Sequence, residues 1–75
     1  MQDQEANRQE LLNAINYRMP FGKYEGQPLL TIPEHYYVWF AKKGFPQNKL
    51  GRYMQLMHEI KINGLDQGLY PLLKR

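Results

Sequence analysis

The segment of residues 18–30 constrains the fold most, because two prolines and two glycines interrupt it. Pro20 and Pro28 lack the backbone N–H and exclude a helix interior, while Gly22 and Gly26 indicate a turn. We therefore predict a β-hairpin over residues 18–30, with Gly26 in the left-handed conformation of a three-residue loop. Since proline cannot donate to a ladder, both strands must be short or lie at an edge.

A two-stranded hairpin is marginal by itself and needs a helix to pack against. The pattern predicts that helix over residues 33–43, with Pro33 at its first position and Gly44 as its stop. Its last two residues, both lysines, favour the negative end of the helix dipole. Residues 36–41 are apolar on nearly every side, which predicts an element packed on more than one face and central to the fold.

A further helix is predicted over residues 49–63, with Asn48 as its N-cap and Gly64 at its end. Gly51 in its first turn indicates either close packing at that point or simple fraying. The predicted inward stripe is Leu50, Tyr53, Met54, Met57 and Ile60. The predicted outward face is Lys49, Arg52, Gln55, Glu59 and Lys61.

The two ends of the chain complete the predicted organisation. Residues 1–16 form a polar leader in which Leu11, Leu12 and Ile15 have the spacing of a short amphipathic helix. Residues 65–73 are an apolar tail that drapes over the core. We therefore expect one small α+β domain over residues 17–75, a short two-stranded β-hairpin packed against about three helices.

Composition limits what can hold such a domain together. A chain of 75 residues buries only about 60% of its unfolded surface. It has no cysteine, so hydrophobic packing must supply nearly all the stability, which fits a reducing compartment. No apolar run reaches the roughly 18 residues of a membrane span, and the polar start does not resemble a signal peptide. We expect a cytoplasmic protein without membrane contact.

Residues that would indicate catalysis are scarce. The chain has neither serine nor cysteine, which are the commonest nucleophiles. His35 and His58 stand without a metal-ligand pattern, and Gly22-Lys23 lacks the upstream glycine and the hydroxyl of a phosphate-binding loop. We therefore expect no enzyme activity, no catalytic residue, no cofactor, no metal site and no small-molecule substrate.

Positive charge is concentrated in the body of the chain. Residues 18–75 carry nine Lys and Arg against four Asp and Glu, whereas residues 1–17 are net acidic. The candidate binding cations are Arg18, Lys23, Lys42, Lys43, Lys49 and Arg52. The short turn between the two predicted helices should bring the last four near one edge of the fold, where Lys23 of the hairpin can join them. They predict a nucleic-acid-binding edge, and the alternative is an ordinary solvated surface. Tyr24 and Tyr37 are the predicted base-stacking residues, while Trp39 and Phe40 are assigned to the core.

Several short motifs together carry a family resemblance. They are Met19-Pro-Phe-Gly-Lys-Tyr24, Gly26, Pro28-Leu29, Ile32-Pro33-Glu34, Tyr36, Trp39, Lys43-Gly44 and Glu59-Ile-Lys-Ile-Asn-Gly-Leu65. Over residues 17–73 the chain resembles the small bacterial family described as putative quorum-sensing-regulated virulence factor. The resemblance implies a regulatory context and no defined chemistry.

A second resemblance covers residues 19–43 only. This part is similar to a module appended to exonuclease-X-like and other DnaQ-type nucleases, which implies an association with nucleic acid. In that module lysines often flank the hairpin glycine, whereas this chain has Glu25 and Gln27 there.

Two functions from different classes follow from these patterns. The first is a nucleic-acid-associated accessory module that uses the cationic edge. The second is a protein-interaction adaptor or small homo-oligomer that uses an apolar patch. The residues predicted for that patch are Met54, Met57, Leu69, Tyr70, Leu72 and Leu73.

Overall fold

The computed structural model describes residues 2–74 and is helical throughout most of this range. Its three α-helices are α1 (Gln2–Asn16), α2 (Glu34–Lys43) and α3 (Lys49–Ile62). Two 3-10 helices complete it, the first over Leu29–Thr31 and the second over Asp66–Leu72.

The predicted α+β class, with a β-hairpin over residues 18–30, is wrong. Within residues 2–74 no strand forms, and the segment is a compact loop with one isolated antiparallel bridge between Arg18 and Pro28. The amide of Met19 donates to the carbonyl of Gln27 at 2.9 Å. The ladder cannot lengthen because the two prolines have no N–H to offer. Gly26 has φ +85°, so its predicted left-handed conformation is confirmed.

Caps define the ends of α2 and α3. Gly44, with φ +108°, ends α2 and its amide donates to the carbonyl of Phe40. Asn48 caps α3 because its side chain accepts a hydrogen bond of 3.0 Å from the amide of Gly51. Both helix ends were predicted from the sequence at these two residues.

The core lies around α3, and the prediction that α2 is the centre of the fold is wrong. α3 contacts α1, α2 and the first 3-10 helix, and the whole predicted inward stripe is buried. In α2 only Tyr37 is fully buried. The buried hydrophobic residues are Ala14, Ile15, Met19, Leu29, Leu30, Ile32, Tyr37, Leu50, Tyr53, Met54, Met57 and Ile60.

Polar contacts fasten the two ends of the chain to this core. The hydroxyl of Tyr53 on α3 donates to Glu10 Oε2 on α1 at 3.1 Å. Asn16 Oδ1 accepts a hydrogen bond from the backbone amide of Lys74 at 2.7 Å, which joins the C-terminal segment to α1. The leader and the tail are therefore attached to the body of the molecule.

Lys61 is an exception to the predicted outward face of α3. It is 8% exposed, and its Nζ lies 3.5 Å from Asp66 Oδ2. The chain reverses after α3 at Gly64, and Asp66 at the start of the second 3-10 helix contacts the Lys61 side chain. The prediction of a solvated Lys61 is therefore wrong. A buried ammonium requires a partner of opposite charge, and Asp66 provides it.

Candidate nucleic-acid interface

Four exposed cations lie on the two helix ends that one short connection joins. Lys42 and Lys43 are the last residues of α2, and Lys49 and Arg52 lie in the first turn of α3. Only residues 44–48 separate the two helices, and Gly51 packs directly on this connection. We call these four residues the cationic face. Four positive charges on adjoining helix ends raise the local electrostatic potential, and a surface of this kind attracts anions.

A row of aromatic rings leads from the loop of residues 18–28, which we call the glycine loop, to the cationic face. Tyr24 contacts Tyr36 with ring centroids 4.9 Å apart, and Tyr36 contacts Phe40 at 5.2 Å. Phe40 then contacts Trp39 at 5.0 Å and Phe45 at 6.3 Å. The edge-to-face geometry of the first three pairs suits the quadrupoles of the rings. We call these five residues the aromatic row.

Ammonium groups lie over two rings of the aromatic row. Lys23 Nζ is 5.6 Å from the centroid of Tyr24, and Lys43 Nζ is 5.8 Å from the centroid of Trp39. Both separations fall within the range of cation–π attraction. Lys23 therefore contacts the aromatic row at Tyr24, the end of the row in the glycine loop. Lys43 contacts Trp39 of the row and is itself part of the cationic face.

The predicted exposure of Tyr37 and the predicted burial of Trp39 are reversed in the structure. Tyr37 is fully buried, and its hydroxyl donates to the carbonyl of Leu29, so it cannot stack a base. Burial raises the pKa of Tyr37 far above its usual value, and the neighbouring Tyr36 adds to this, so the phenol stays neutral. Trp39 is 53% exposed, so its predicted core role is wrong.

Helix geometry explains this reversal. Phe40 lies three residues after Tyr37 and shares its face, and it is half-buried against the core, in keeping with its predicted role. Trp39 lies two residues after Tyr37, about 200° around the helix, and so points away from α3. The helical spacing of α2 could have identified Trp39 as the exposed ring only if one buried residue of α2 had already been known.

The remaining predicted site residues are placed differently. The Arg18 guanidinium donates to the carbonyl of Gly26, which closes the glycine loop. Tyr24 is half-buried beneath Lys23. Arg18 therefore supports the loop, and Tyr24 offers only part of its ring to a ligand.

An open pocket of about 330 Å³ lies beside the cationic face. Phe45 and Pro46 supply apolar surface, and polar side chains supply the remainder. Its lining residues are Phe45, Pro46, Gln47, Asn48, Arg52 and Gln55. Arg52 is the one residue of this pocket that was predicted as a site residue. The sequence signal that could have indicated the pocket is the group of amide side chains Gln47, Asn48 and Gln55.

The two histidines lie on different helices. His35 is exposed on α2, whereas His58 is half-buried on α3 with its ring 6.0 Å from that of Phe45. Among residues 7–74, whose side chains the structure describes, no three His, Cys, Asp or Glu side chains come close enough to hold a metal ion.

The predicted apolar patch is only partly at the surface. Met54 and Met57 are fully buried, so their assignment to the patch is wrong, while Tyr70 and Leu72 are exposed. Leu69 and Leu73 are half-buried against the core. An apolar groove of about 480 Å³, which shares Leu69 with the predicted patch, runs between α1, α3 and the second 3-10 helix. It is lined by Leu11, Leu56, Ile60, Leu65, Gly68 and Leu69.

In the part of the chain that the structure covers, no helix has the length and apolar character needed to cross a membrane.

The fold and the site define a small helical domain with a cationic, aromatic surface. Residues 7–72 match the family described as "Putative quorum-sensing-regulated virulence factor", and the chain belongs to this family. The predicted family resemblance is thus confirmed. The second resemblance, to the module of exonuclease-X-like nucleases, stays a prediction.

Two relatives carry the same description, "Uncharacterized protein YpeB". One is from Escherichia coli K12 and the other from Escherichia coli O157:H7. Each is 47% identical to this chain over 66 residues, which covers 87% of this chain and 92% of the relative. No solved structure matches the chain.

Proposed function

We propose that this protein is a non-enzymatic, nucleic-acid-associated accessory protein that binds the sugar-phosphate backbone through its cationic face. One observation carries the proposal: Lys43 Nζ lies over the exposed ring of Trp39, on a helix end that one short connection joins to the cationic first turn of α3. Cations beside an exposed aromatic ring are the combination that sequence-tolerant binding of nucleic acid uses.

Each element of this surface has a physical role in the proposal. The ammonium and guanidinium groups neutralise phosphates and release condensed counterions, which supplies most of the binding free energy. Trp39 offers a flat apolar surface to a base, and stacking of this kind contributes about 1–3 kcal/mol per base. Lys23 at the loop end of the aromatic row extends the positive surface beyond the helix junction.

The proposed role is one of binding without catalysis, in the bacterial cytoplasm. The chain has neither serine nor cysteine to serve as a nucleophile. The family description names a virulence factor that quorum sensing regulates; it assigns no chemistry, and a nucleic-acid-binding role is compatible with it.

Titration of labelled oligonucleotides tests this proposal. We expect single-stranded or duplex oligonucleotides to bind at micromolar protein at low salt, with affinity falling steeply between about 50 and 200 mM salt. Fluorescence anisotropy measures the dissociation constant at each salt concentration. Absence of salt-sensitive binding to either form at low salt would overturn the proposal.

A matched pair of variants locates the binding surface. Lys43→Glu reverses a charge on the cationic face, and Lys74→Glu makes the same change on an exposed lysine at the C-terminal end. We expect Lys43→Glu to weaken binding and to lower the salt slope by about one or more, because a phosphate contact is lost. Lys74→Glu is expected to bind nearly as the wild type does. Equal losses in the two variants would show a diffuse effect of net charge and would contradict a localised site.

The second candidate function is self-association through the apolar groove. Leu65 lines this groove and is 61% exposed, so one patch presents both a protruding side chain and a cleft. A twofold interface needs such a self-complementary patch, because the same surface meets its own copy.

Light scattering tests this second candidate. Self-association predicts a mass that rises with concentration in the wild type and stays monomeric in Leu65→Lys. A monomeric mass for the wild type at all concentrations would exclude this interface.

A further inference from the structure

We infer that the pocket beside the cationic face, lined by Phe45, Gln47 and Gln55 among others, receives an unpaired nucleobase, so that the preferred ligand is single-stranded nucleic acid. The inference rests on the proposed function and adds to it the form of nucleic acid and the place where a base is held.

Volume and walls of the pocket suit a base. About 330 Å³ is near the lower end of the range of roughly 300–1,000 Å³ for small-ligand sites. Phe45 and Pro46 give apolar contact, and Phe45 is itself supported by near-parallel packing on Phe40, with 14° between the ring planes. A base has apolar faces that such a surface can cover.

Hydrogen-bonding groups surround this apolar surface. Gln47 lies in the connection before α3, and Gln55 lies one turn beyond Arg52 on α3. Neither side chain forms a hydrogen bond to another of the residues 7–74, whose side chains the structure describes. Amide side chains carry both donors and acceptors, which is what the edge of a base requires. These two glutamines therefore have their hydrogen-bonding capacity available for a base.

Charge at the pocket suits the phosphate that accompanies the base. Arg52 lines the pocket, and Lys49 precedes it by three residues, so both lie on one side of α3. Lys49 Nζ is 5.7 Å from the centroid of Tyr53 and remains exposed. A nucleotide with its base in the pocket thus meets a guanidinium at the pocket and an ammonium one turn away.

The preference for single strands follows from the geometry of a duplex. Paired bases are stacked inside the double helix, and extruding one of them costs several kcal/mol. An unpaired base can enter the pocket without that cost. A cationic face alone would not distinguish the two forms in this way, because both present phosphates.

The experiment compares four ligands of about 12 nucleotides by anisotropy at low salt: single-stranded DNA, single-stranded RNA, duplex DNA and an abasic single strand. We expect both base-containing single strands to bind about tenfold or more tightly than the abasic strand and the duplex. DNA and RNA serve as separate arms because both carry bases, and a preference between them identifies contact with the sugar 2′-hydroxyl.

Two glutamine variants test the pocket itself. Gln55→Ala is expected to weaken single-strand binding several-fold without changing its salt slope, since no phosphate contact is removed. Gln67→Ala, an exposed glutamine of the second 3-10 helix, is expected to bind as the wild type does. Thermal melts of the two variants should match, because both residues are exposed.

The outcomes separate this inference from the proposed function. Salt-sensitive binding that is equal for single-stranded, duplex and abasic ligands overturns the base pocket and leaves the proposed function standing. If Gln55→Ala binds single strands as tightly as the wild type does, the inference that this pocket holds a base is likewise contradicted. Failure of every oligonucleotide to bind at low salt overturns both.

Discussion

The hydroxyl of Tyr37 connects α2 to the first 3-10 helix from inside the core. It donates to the carbonyl of Leu29, and burial raises the pKa of the phenol well above its usual value near 10. Below about pH 10 the phenol is neutral in the folded and unfolded states. Above it the unfolded chain releases the proton while the folded chain retains it, so the free energy of unfolding falls as pH rises.

Tyr37→Phe therefore has two expected effects. Near neutral pH it lowers stability by about 1 kcal/mol, because the buried Leu29 carbonyl loses one of its two donors and keeps only the backbone amide of Ile32, at 3.3 Å. It also reduces the loss of stability between about pH 9 and pH 12. Urea unfolding at several pH values measures both. Tyr70→Phe, at an exposed tyrosine, is the control and should change neither. An alkaline loss of stability that is the same in Tyr37→Phe and the wild type would show that Tyr37 is not the group responsible.

The ion pair of Lys61 and Asp66 gives a second test at the scale of residues. Asp66→Ala leaves the buried Lys61 ammonium without its partner and is expected to lower the free energy of unfolding by about 2 kcal/mol or more. Glu59→Ala removes an exposed carboxylate from the same helix and should change it little. Chemical denaturation measures both variants. Equal stability of Asp66→Ala and the wild type would show that water solvates the Lys61 ammonium when Asp66 is removed.

Residue roles were predictable where a helix has one apolar face. The stripe of α3 was predicted in full because its apolar positions recur at helical spacing. α2 is aromatic on most sides, so the pattern contains no information on which ring points inward, and Tyr37 and Trp39 were exchanged. Lys61 was misplaced because its partner Asp66 lies beyond a chain reversal at Gly64 that local periodicity does not report.

At the scale of elements, Gly51 fixes how closely the α2–α3 connection approaches α3. A Cβ at this position would lie 1.6 Å from the backbone carbonyl oxygen of Pro46. Of the two explanations predicted for this glycine, close packing is the correct one. The approach also shapes the pocket beside the cationic face, since Pro46 lines it.

Gly51→Ala is therefore expected to lower the stability of the protein, whereas a Gly→Ala change inside a helix ordinarily raises it. In an unconstrained helix alanine is about 1 kcal/mol more favourable than glycine. Here the methyl group must displace backbone, which should lower stability by about 2–3 kcal/mol. Gly68→Ala is the matched control, because no atom lies within 4 Å of its added Cβ. Thermal unfolding measures the midpoint temperature of both variants. A Gly51→Ala variant more stable than the wild type would contradict the close approach of the Pro46 carbonyl to Gly51.

The elements themselves were predictable to different extents. The cap residues Asn48 and Gly44 define helix ends within a residue of those predicted, because capping is a local property. The hairpin was predicted from the same kind of local signal, but strand pairing also needs a run of N–H donors. Pro20 and Pro28 remove them, and the chain forms a loop with one bridge and then a 3-10 helix.

At the scale of the whole molecule, one core around α3 supports a surface of two kinds. The cationic face and the aromatic row cover one junction of helices, whereas the apolar groove lies between α1, α3 and the C-terminal segment. The sequence predicted the four cations of the junction because they flank a short helix connection. It could not predict the pocket beside them, which depends on how closely the connection folds onto α3.

Trp39 provides the most direct measurement of the central claim, that this surface contacts nucleic acid. It is the chain's only tryptophan, it is 53% exposed, and Lys43 lies over its ring. We predict that adding a single-stranded oligonucleotide quenches its emission in a saturable manner, with a midpoint that matches the anisotropy titration, and that raising the salt restores the emission. Unchanged Trp39 emission while the oligonucleotide binds elsewhere, or no binding at low salt, would contradict the claim.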